Sequence, residues 1–323
     1  RLDGLKWEKV TSMNWGFDLE LWDGKVTVNA DLYHKRTDDL LFSNISIPST
    51  SGFPTLSYKN IGTLDNDGWE VNVNLNKFIQ AGKFSMDAMF NLASNRNKII
   101  SMDASVLNQY NSVDNWGNGY YGTRLQEGNS FGSIYGFKYA GVYSYSLENL
   151  DKALAEGKTV AVARDKDGNI MRNSDGEAKP MYYYYNSTKY QFKGGDAMYV
   201  DQNNDGSIDQ YDVVYLGNSN PKLNGGWGLT FKYDKLSLNF FCNFRWGNKI
   251  VNQARMNAEN MYGAYNQCST VNWRWRKEGD VTNVPRAVYQ QGYNWLGSDR
   301  YVEDGSFMRM KYVTCLLYTS PSP

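Results

Sequence analysis

Apolar and polar residues alternate strictly along several stretches of this chain. Between residues 11 and 33, two such stretches stand on either side of Asp23-Gly24. Successive side chains of a strand point to opposite faces, so each stretch has one apolar face and one polar face. Asp and Gly supply the positive φ angles that a tight hairpin turn requires. The pattern therefore predicts a β-hairpin whose apolar positions are Met13, Trp15, Phe17, Leu19 and Leu21 before the turn and Val26, Val28, Ala30 and Leu32 after it.

The same alternation recurs at 69–76, 84–92, 227–233 and 236–246. The turns within these hairpins are short, whereas the connections between hairpins are long and rich in Asn, Gly, Tyr and Ser. Outer-membrane barrels have this asymmetry, with short periplasmic turns and long extracellular loops. A soluble antiparallel sheet with one buried face explains the alternation equally well. The short turns are 22–25, 79–82 and 233–235, and the long connections are 43–57, 96–130 and 251–297.

The direction of each strand follows if the short turns lie on the periplasmic side of the membrane and the long loops on the extracellular side. Strands near 25–41, 83–95 and 235–250 then run outward, and those near 11–21, 58–78 and 222–233 run inward. A strand at 131–145 must also run inward, which requires at least one outward strand within 182–217. The stripe formed by Leu236, Leu238, Phe240, Phe244 and Trp246 should face lipid, with Asn239, Asn243 and Arg245 toward the lumen.

Composition excludes several classes of function. Lys+Arg and Asp+Glu number 34 each, so no basic field favours nucleic acid. Aromatic residues reach 15%, which suits interfacial girdles of a barrel, a large β core or a sugar-binding surface. No apolar run is long enough for a transmembrane helix. The three cysteines have no disulfide or zinc spacing, His34 has no partner spacing, and no catalytic motif is present, so we expect no enzyme.

Arg1-Leu2-Asp3 lacks the apolar region of a signal peptide, so we expect either a cytosolic protein or a piece of a longer one.

Several ordered motifs spread over nearly the whole chain resemble the SusC/RagA-type TonB-dependent transporters of the Bacteroidetes outer membrane. They are LKWEK with TS and NWGFD at residues 5–18, YHKRTDDLL at 33–41, NIG and GWE at 60–70, DQNNDGSID at 201–209 followed by Gly217, Pro221 and Gly225-Gly226, Trp273, GDVTNVPR at 279–286, and SDRYVEDGSFMRMK at 298–311.

The resemblance implies an all-β fold. Residues 1–314 would form part of an antiparallel transmembrane β-barrel, the carboxyl-terminal strands of a plugged barrel of about 22 strands, with long extracellular loops and a short helix. It further implies uptake of a glycan oligomer or peptide across the outer membrane, a SusD-like surface lipoprotein as partner, contact with the bilayer, and energy from TonB through an amino-terminal part that these residues do not include.

The final residues, 315–323, depart from the family pattern, which would continue as an alternating strand. Two of the last three residues are proline, and proline cannot donate to a strand ladder. We therefore expect this tail to be non-native sequence or a truncation scar.

One segment resembles a calcium loop. Asp201, Asn203 and Asp205 fall at positions 1, 3 and 5 of an EF-hand-type loop, and Gly206 occupies the position of the sharp turn. The remaining candidate ligands are Ser207 through its carbonyl, Asp209 through water, and Asp212 in place of the usual Glu. The alternative is a β-turn stabilised by its own side-chain hydrogen bonds. No other cofactor is expected.

Segment 146–195 predicts a short amphipathic helix within 148–158 that ends at Gly157, followed by a small hairpin with turns at 165–168 and 174–176. The four tyrosines 182–185 form either a substrate-contacting loop or a packed loop base. Two functions therefore stay open. One is nutrient uptake through a barrel, and the other is a secreted or periplasmic all-β domain that binds or hydrolyses carbohydrate.

Overall fold

The computed structural model describes residues 4–46, 55–111, 117–121, 124–185 and 187–318. Most of its secondary structure is β. In chain order the strands are β1 (Lys9–Leu21), β2 (Val26–Asp38), β3 (Leu41–Ser46), β4 (Thr55–Asn60), β5 (Gly62–Ala81), β6 (Phe84–Met102), β7 (Ser133–Gly136), β8 (Tyr139–Val142), β9 (Tyr182–Tyr185), β10 (Thr188–Gln191), β11 (Ala197–Tyr199), β12 (Ser207–Ile208), β13 (Val214–Asn218), β14 (Leu223–Tyr233), β15 (Leu236–Trp246), β16 (Lys249–Val251), β17 (Val302–Asp304) and β18 (Phe307–Leu317).

Helices are short and lie between strands. They are α1 (Ala104–Tyr110), α2 (Leu150–Ala155) and α3 (Gln253–Glu259), with 3₁₀ turns at Leu147–Asn149, Gln210–Asp212, Ser269–Trp273 and Asp299–Tyr301. Within the described ranges, no helix has the length and apolar character needed to cross a membrane.

The long strands form one antiparallel sheet in the order β1-β2-β5-β6-β14-β15-β18. Six of them coincide with the stretches of alternating sequence, so the predicted strands and their antiparallel pairing are confirmed. Asp23 and Gly24 have φ angles of 53° and 79°, as the hairpin prediction required. The two-residue turn from β14 to β15 likewise begins with Asp234 at a φ of 50°.

Register keeps most of the apolar residues of these strands on one face of the sheet. Trp15 lies opposite Leu32, which lies opposite Trp69, and farther along the sheet Phe90 pairs with Trp227. In the described part of the chain, no second sheet or helical layer covers this face. Trp15 is 58% exposed and Trp246 is 61% exposed. The predicted stripe from Leu236 to Trp246 is therefore not sealed in a protein core.

β1 and β18 form the two edges of the sheet and are not paired with each other. Closure into a barrel is thus not seen within the described residues.

The predicted inward strand at 131–145 is wrong. Strand β6 pairs directly with β14, so the chain between them leaves and re-enters the sheet at one point. β7 and β8 lie in this excursion and pair with β13 and β11 in two small sheets. The outward strand expected within 182–217 is therefore not needed, and the directions of the other strands still alternate. Local alternation misled the prediction because short strands in a compact loop show the same period as a barrel strand.

Strand β18 runs to Leu317, three residues past the expected boundary at 314. Cys315 pairs with Leu238, and Leu317 pairs with Leu236. Residues 319–323, with both prolines, lie outside the described residues, and the non-native origin of the tail stays a prediction.

Opposite faces of β14 should respond differently to the same substitution. Leu229 lies on the apolar face, whereas Thr230 lies on the polar face beside Asp87 and Asn239. A cation facing the middle of the bilayer costs about 2–4 kcal/mol. If the apolar face turns to lipid, we expect Leu229→Arg to lower the free energy of unfolding of the protein in lipid vesicles by about that amount. Thr230→Arg is the matched control and should change it by much less. Equal losses in the two denaturant titrations would contradict the assignment of faces.

Candidate functional site

The polar face of the sheet carries a row of amides. Asn29, Asn72 and Asn91 lie directly opposite one another on β2, β5 and β6. The Asn29 amide donates to Asp18 Oδ1 at 2.5 Å, and the Asn14 amide donates to Asp31 Oδ1 at 3.3 Å. Amides offer both donors and acceptors, so this face can hydrogen-bond to neutral polar groups as well as to charges.

Aromatic rings on the polar face lie over glycines. A Cβ built on Gly68 would collide with the Tyr33 ring, and one built on Gly226 would collide with Phe241. The Asn95 amide fixes Tyr33 by donating to its hydroxyl at 2.9 Å. Glycine is required at these two positions because the ring occupies the space of a side chain.

Two long insertions fold together at the end of the sheet opposite the short turns. The first insertion spans residues 103–222 between β6 and β14, and the second spans 247–306 between β15 and β18. Their shared core is aromatic, and in it Tyr183 of the first insertion stacks on Tyr293 of the second with ring centroids 3.8 Å apart. Other buried members are Tyr135, Phe137, Tyr143, Phe192, Tyr199 and Leu296.

A buried ion pair joins the two insertions. Asp196 is fully buried, and Arg286 Nε donates to its Oδ1 at 2.7 Å. The Tyr190 hydroxyl and the Asn294 amide also donate to the carboxylate. Burial lowers the pKa of Arg286, but the hydrogen bond and charge of Asp196 outweigh burial and raise that pKa. A buried carboxylate with this many donors is satisfied on both oxygens.

A second buried pair braces the other side of the same unit. Arg300 donates to Glu259 at 2.9 Å, and Arg255 donates to the other carboxylate oxygen at the same distance. The Arg300 guanidinium also lies over the Tyr139 ring of the first insertion, 4.8 Å from its centroid. The two insertions therefore form one ordered unit.

A cleft of about 830 Å³ lies where the outer end of β6 meets the base of this unit. Its lining is dominated by amides and hydroxyls, with one aromatic ring and three cations and no carboxylate. Such a lining suits polar ligands that are neutral or anionic. The residues with amide, hydroxyl or charged side chains are Ser94, Asn95, Arg96, Asn97, Asn129, Ser130, Ser133, Tyr215, Asn218, Asn220, Lys222 and Lys249.

The predicted calcium loop follows β11 within the first insertion. Asp201 accepts hydrogen bonds from the Asp205 and Gly206 backbone N–H groups at 3.3 and 2.7 Å. Asp205 accepts from the Ser207 N–H and from the Asn203 amide. Across the described residues, no three or more His, Cys, Asp or Glu side chains group in a way that could hold a metal ion. This geometry is that of a turn closed by its own hydrogen bonds, the alternative left open by the sequence.

The last two candidate ligands, Asp209 and Asp212, accept hydrogen bonds from backbone N–H groups of the same loop. Asp212 accepts from the N–H groups of Gln202 and Asp209, both at 2.7 Å, and Asp209 accepts from the Tyr211 N–H. Burial raises the pKa of Asp212 to about 7, although its two backbone hydrogen bonds act in the opposite direction. A bound cation would lower the pKa of Asp212 because it favours the charged carboxylate.

The remaining sequence predictions concern a helix, two turns, the tyrosines 182–185 and His34. The predicted helix is confirmed as the 3₁₀ turn and α2, with Gly157 just beyond at a φ of 63°. The two hairpin turns are confirmed by bridges that close around 165–168 and 174–176. The tyrosines 182–185 form β9, in which Tyr183 is buried and Tyr184 is exposed, so they act mainly as a packed base. His34 lies on the large sheet with its Nδ1 2.6 Å from Asp67 Oδ1.

Sequence reasoning did not identify the pair of Asp196 and Arg286. The two residues are 90 positions apart, and each stands in a loop segment without periodicity. Arg286 lay within a quoted family motif, which was the one available signal.

Loss of the Asp196 charge should loosen the insertions and leave the sheet unchanged. Removing one partner of a buried pair costs about 3–5 kcal/mol because the other charge stays buried. For Asp196→Asn, we expect much faster amide hydrogen exchange in 181–200 and 284–296. Asp234→Asn is the control, since it breaks the exposed pair with Lys83, for which about 0–1 kcal/mol is typical. Unchanged exchange in Asp196→Asn would contradict the role of the pair.

Calcium binding by the Asp201–Asp212 loop stays a prediction. If it occurs, oxygens of Asp201, Asn203 and Asp205 should turn to one centre at about 2.3–2.6 Å from the ion. Calorimetry on the protein should then show a calcium isotherm that Asp205→Ala abolishes and that Asp175→Ala, in an exposed turn, leaves intact. An absent isotherm in the parent, or an unchanged one in Asp205→Ala, would leave only the turn.

Residues 2–156 match the family model for the TonB dependent receptor-like beta-barrel. Over 96% of its length the chain is 29% identical to TonB-dependent receptor P39 of Formosa agariphila, and over 97% it is 25% identical to TonB-dependent receptor SusC of Bacteroides thetaiotaomicron. It spans 29% and 26% of these relatives, respectively. TonB-dependent receptors are outer-membrane proteins and transporters, not enzymes. The predicted localisation and the absence of enzymatic function agree with this family.

The fold is similar to that of a solved structure of the RagAB peptide importer in the closed-closed state. The TM-score is 0.61 at 20% sequence identity, and the match covers 96% of this chain and 29% of the other. A second RagAB peptide transporter structure gives a TM-score of 0.59 over 95% of this chain and 28% of the other, also at 20% identity. The resemblance predicted from the motifs is thus confirmed: the chain is similar to the β-barrel part of TonB-dependent receptors, with relatives of the SusC/RagA type.

Proposed function

We propose that this chain forms part of the wall and extracellular face of a transporter that takes up a glycan oligomer or a peptide across the outer membrane. The observation that carries the proposal is the uncovered apolar face of the seven-stranded sheet, opposite a face rich in amides and carboxylates. A soluble sheet would bury its apolar face beneath another layer. A barrel wall instead turns that face to lipid and the polar face to the lumen.

The proposal also requires further strands that close the sheet into a barrel. The sheet ends in two long unpaired edges, β1 with 13 residues and β18 with 11. Unpaired backbone groups cannot stay exposed in a bilayer, so both edges require partner strands. Strands from the rest of the receptor would supply them and complete a plugged barrel of about 22 strands.

The paired insertions are suited to receive the substrate and a partner protein. Their aromatic core and two buried ion pairs hold the unit in one arrangement, which lowers the entropy cost of binding. The amide-lined cleft at its base can hydrogen-bond to the hydroxyls of a glycan or to the backbone of a peptide. A SusD-like surface lipoprotein would cover this unit from outside, and TonB would act through the part of the receptor beyond these residues.

Uptake assays can test this proposal. A strain that lacks the receptor gene should fail to accumulate one class within a panel of labelled oligosaccharides and peptides, and the complete receptor should restore accumulation. Dissipating the proton gradient should abolish the restored uptake because TonB-driven import requires energy. The receptor with Asp234→Asn is the matched control and should transport normally.

Fractionation provides a separate check against the soluble alternative. The complete receptor should be found in the outer membrane and show heat-modifiable migration on gels. Recovery as a soluble, folded, secreted carbohydrate-binding domain would contradict the proposal, and so would uptake that does not depend on the receptor for any member of the panel.

A further inference from the structure

A cavity of about 340 Å³ lies within the first insertion, beside β8 and β11. All of its lining residues fall between positions 140 and 204, and none of them lines the cleft at the base of the unit. Small-molecule sites in proteins typically have volumes of about 300–1,000 Å³. The cavity is therefore a separate space large enough for a small ligand.

The inner end of this cavity is apolar. Val160, Val162 and Met181 line it and are buried. Their side chains carry no hydrogen-bonding N–H or O–H group, and the flexible thioether of Met181 can adapt to the shape of a neighbour. This end suits an aliphatic or aromatic group.

A tyrosine hydroxyl without a partner also belongs to the lining. Tyr143 is 3% exposed, and its hydroxyl forms no hydrogen bond to any described residue. Other buried tyrosines of the same unit are satisfied, since the hydroxyls of Tyr145 and Tyr190 donate to carboxylates and that of Tyr199 accepts from a backbone N–H. Buried polar groups in proteins are nearly always hydrogen-bonded. The Tyr143 hydroxyl therefore needs a partner within the cavity.

The mouth of the cavity presents one available cation. Arg164 is exposed, and its Nη1 donates to the Gly168 carbonyl at 2.7 Å. In the described part of the chain, Arg164 has no ion pair, so its Nε and Nη2 groups can donate to a ligand. Lys158 adds no free charge because its Nζ lies 2.7 Å from a Glu156 carboxylate oxygen.

A carboxylate and an amide complete the mouth. Asp201 is half-buried, and its two oxygens accept from the Asp205 and Gly206 N–H groups. A carboxylate oxygen can accept more than one hydrogen bond, so Asp201 can still accept from a ligand. The side chain of Asn204, also half-buried, supplies a further donor and acceptor. The mouth thus carries both signs of charge.

The Tyr143 hydroxyl lies close enough to the mouth to sense these charges. Burial raises the pKa of Tyr143, the charges of Asp196 and Asp201 raise it further, and Arg164 acts in the opposite direction. The hydroxyl therefore stays protonated at neutral pH and can donate to an anionic group that is held by Arg164.

We propose that this cavity binds a small zwitterion with an apolar side chain, either a free amino acid or a dipeptide. Its carboxylate accepts from Arg164 and from the Tyr143 hydroxyl, its ammonium group donates to Asp201, and its side chain fills the apolar inner end. Such hydrogen bonds are charge-assisted and strong. A saccharide would place hydroxyls against the buried valines, so the lining favours the zwitterion. The site does not depend on the proposed uptake function.

Isothermal titration calorimetry on the purified protein tests this site without measuring transport. The probes are L-leucine, L-leucyl-L-leucine and glucose. We expect a saturable isotherm for at least one of the first two, and the tighter of them identifies the ligand as an amino acid or a dipeptide. No isotherm is expected for glucose. Absence of binding by both zwitterions at millimolar concentration would overturn the proposal, and so would a glucose isotherm that Tyr143→Phe weakens.

Tyr143→Phe removes only the hydroxyl and keeps the packed ring. A hydrogen bond to a charged group is strong enough that we expect binding to weaken at least about tenfold. The thermal stability of the ligand-free protein should not fall, because the hydroxyl has no protein partner to lose. Tyr211→Phe is the matched control, an exposed tyrosine of the same insertion outside the cavity, and should bind like the parent. Equal affinities of Tyr143→Phe and the parent would contradict the proposed contact.

Modified probes supply a second measurement that does not depend on the variants folding. Acetylation removes the ammonium charge of the binding probe, and amidation removes its carboxylate charge. Each change should weaken binding to the unmodified protein at least about tenfold. Equal binding of the free and blocked forms would overturn the proposal, because the cavity would then recognise only the apolar side chain.

Discussion

The two-residue period of the β-strand governs this molecule. Each of the seven long strands places most of its apolar residues on one face, and antiparallel register brings like faces together across the sheet. A register slip of one residue on any strand would move its apolar set to the wrong face. Every pair of neighbouring strands therefore constrains the register. In this sheet the backbone N–H and C=O groups without a neighbouring strand lie on β1 and β18.

The insertions follow a different physical rule from the wall. Their strands are short, and their order comes from an aromatic core and from two buried carboxylates. Asp196 accepts hydrogen bonds from Arg286, Tyr190 and Asn294, and Glu259 accepts from Arg255 and Arg300. Buried ion pairs contribute little net stability but penalise strongly any arrangement that separates them. Such contacts fix how the insertions fit together, so the unit above the wall holds one shape without a regular sheet of its own.

Sequence alone predicted the wall well because period-two alternation and Asp-Gly turns are local signals. The hairpin around Asp23 and the strand at 236–246 needed no knowledge of distant residues. The segment 131–145 could not be placed correctly in the same way, since its alternation serves small sheets inside a loop. The contact of Asp196 with Arg286 depends on the folded path of two insertions, and no spacing in the sequence encodes it. The oxygens of the Asp201–Asp212 loop were located by motif, but their orientation toward backbone N–H groups was not.

The same alternation that defines the wall also explains where polar chemistry can appear on its outer surface. Where a barrel strand crosses hydrocarbon, the side chains on its lipid-facing side must be apolar. That restriction ends one row beyond Trp15 and Trp69, where His34 and Arg96 take the next outward positions. On the apolar face, charged side chains therefore begin at this border, where His34 Nδ1 lies 2.6 Å from Asp67 and Arg36 Nε lies 3.8 Å from Asp65.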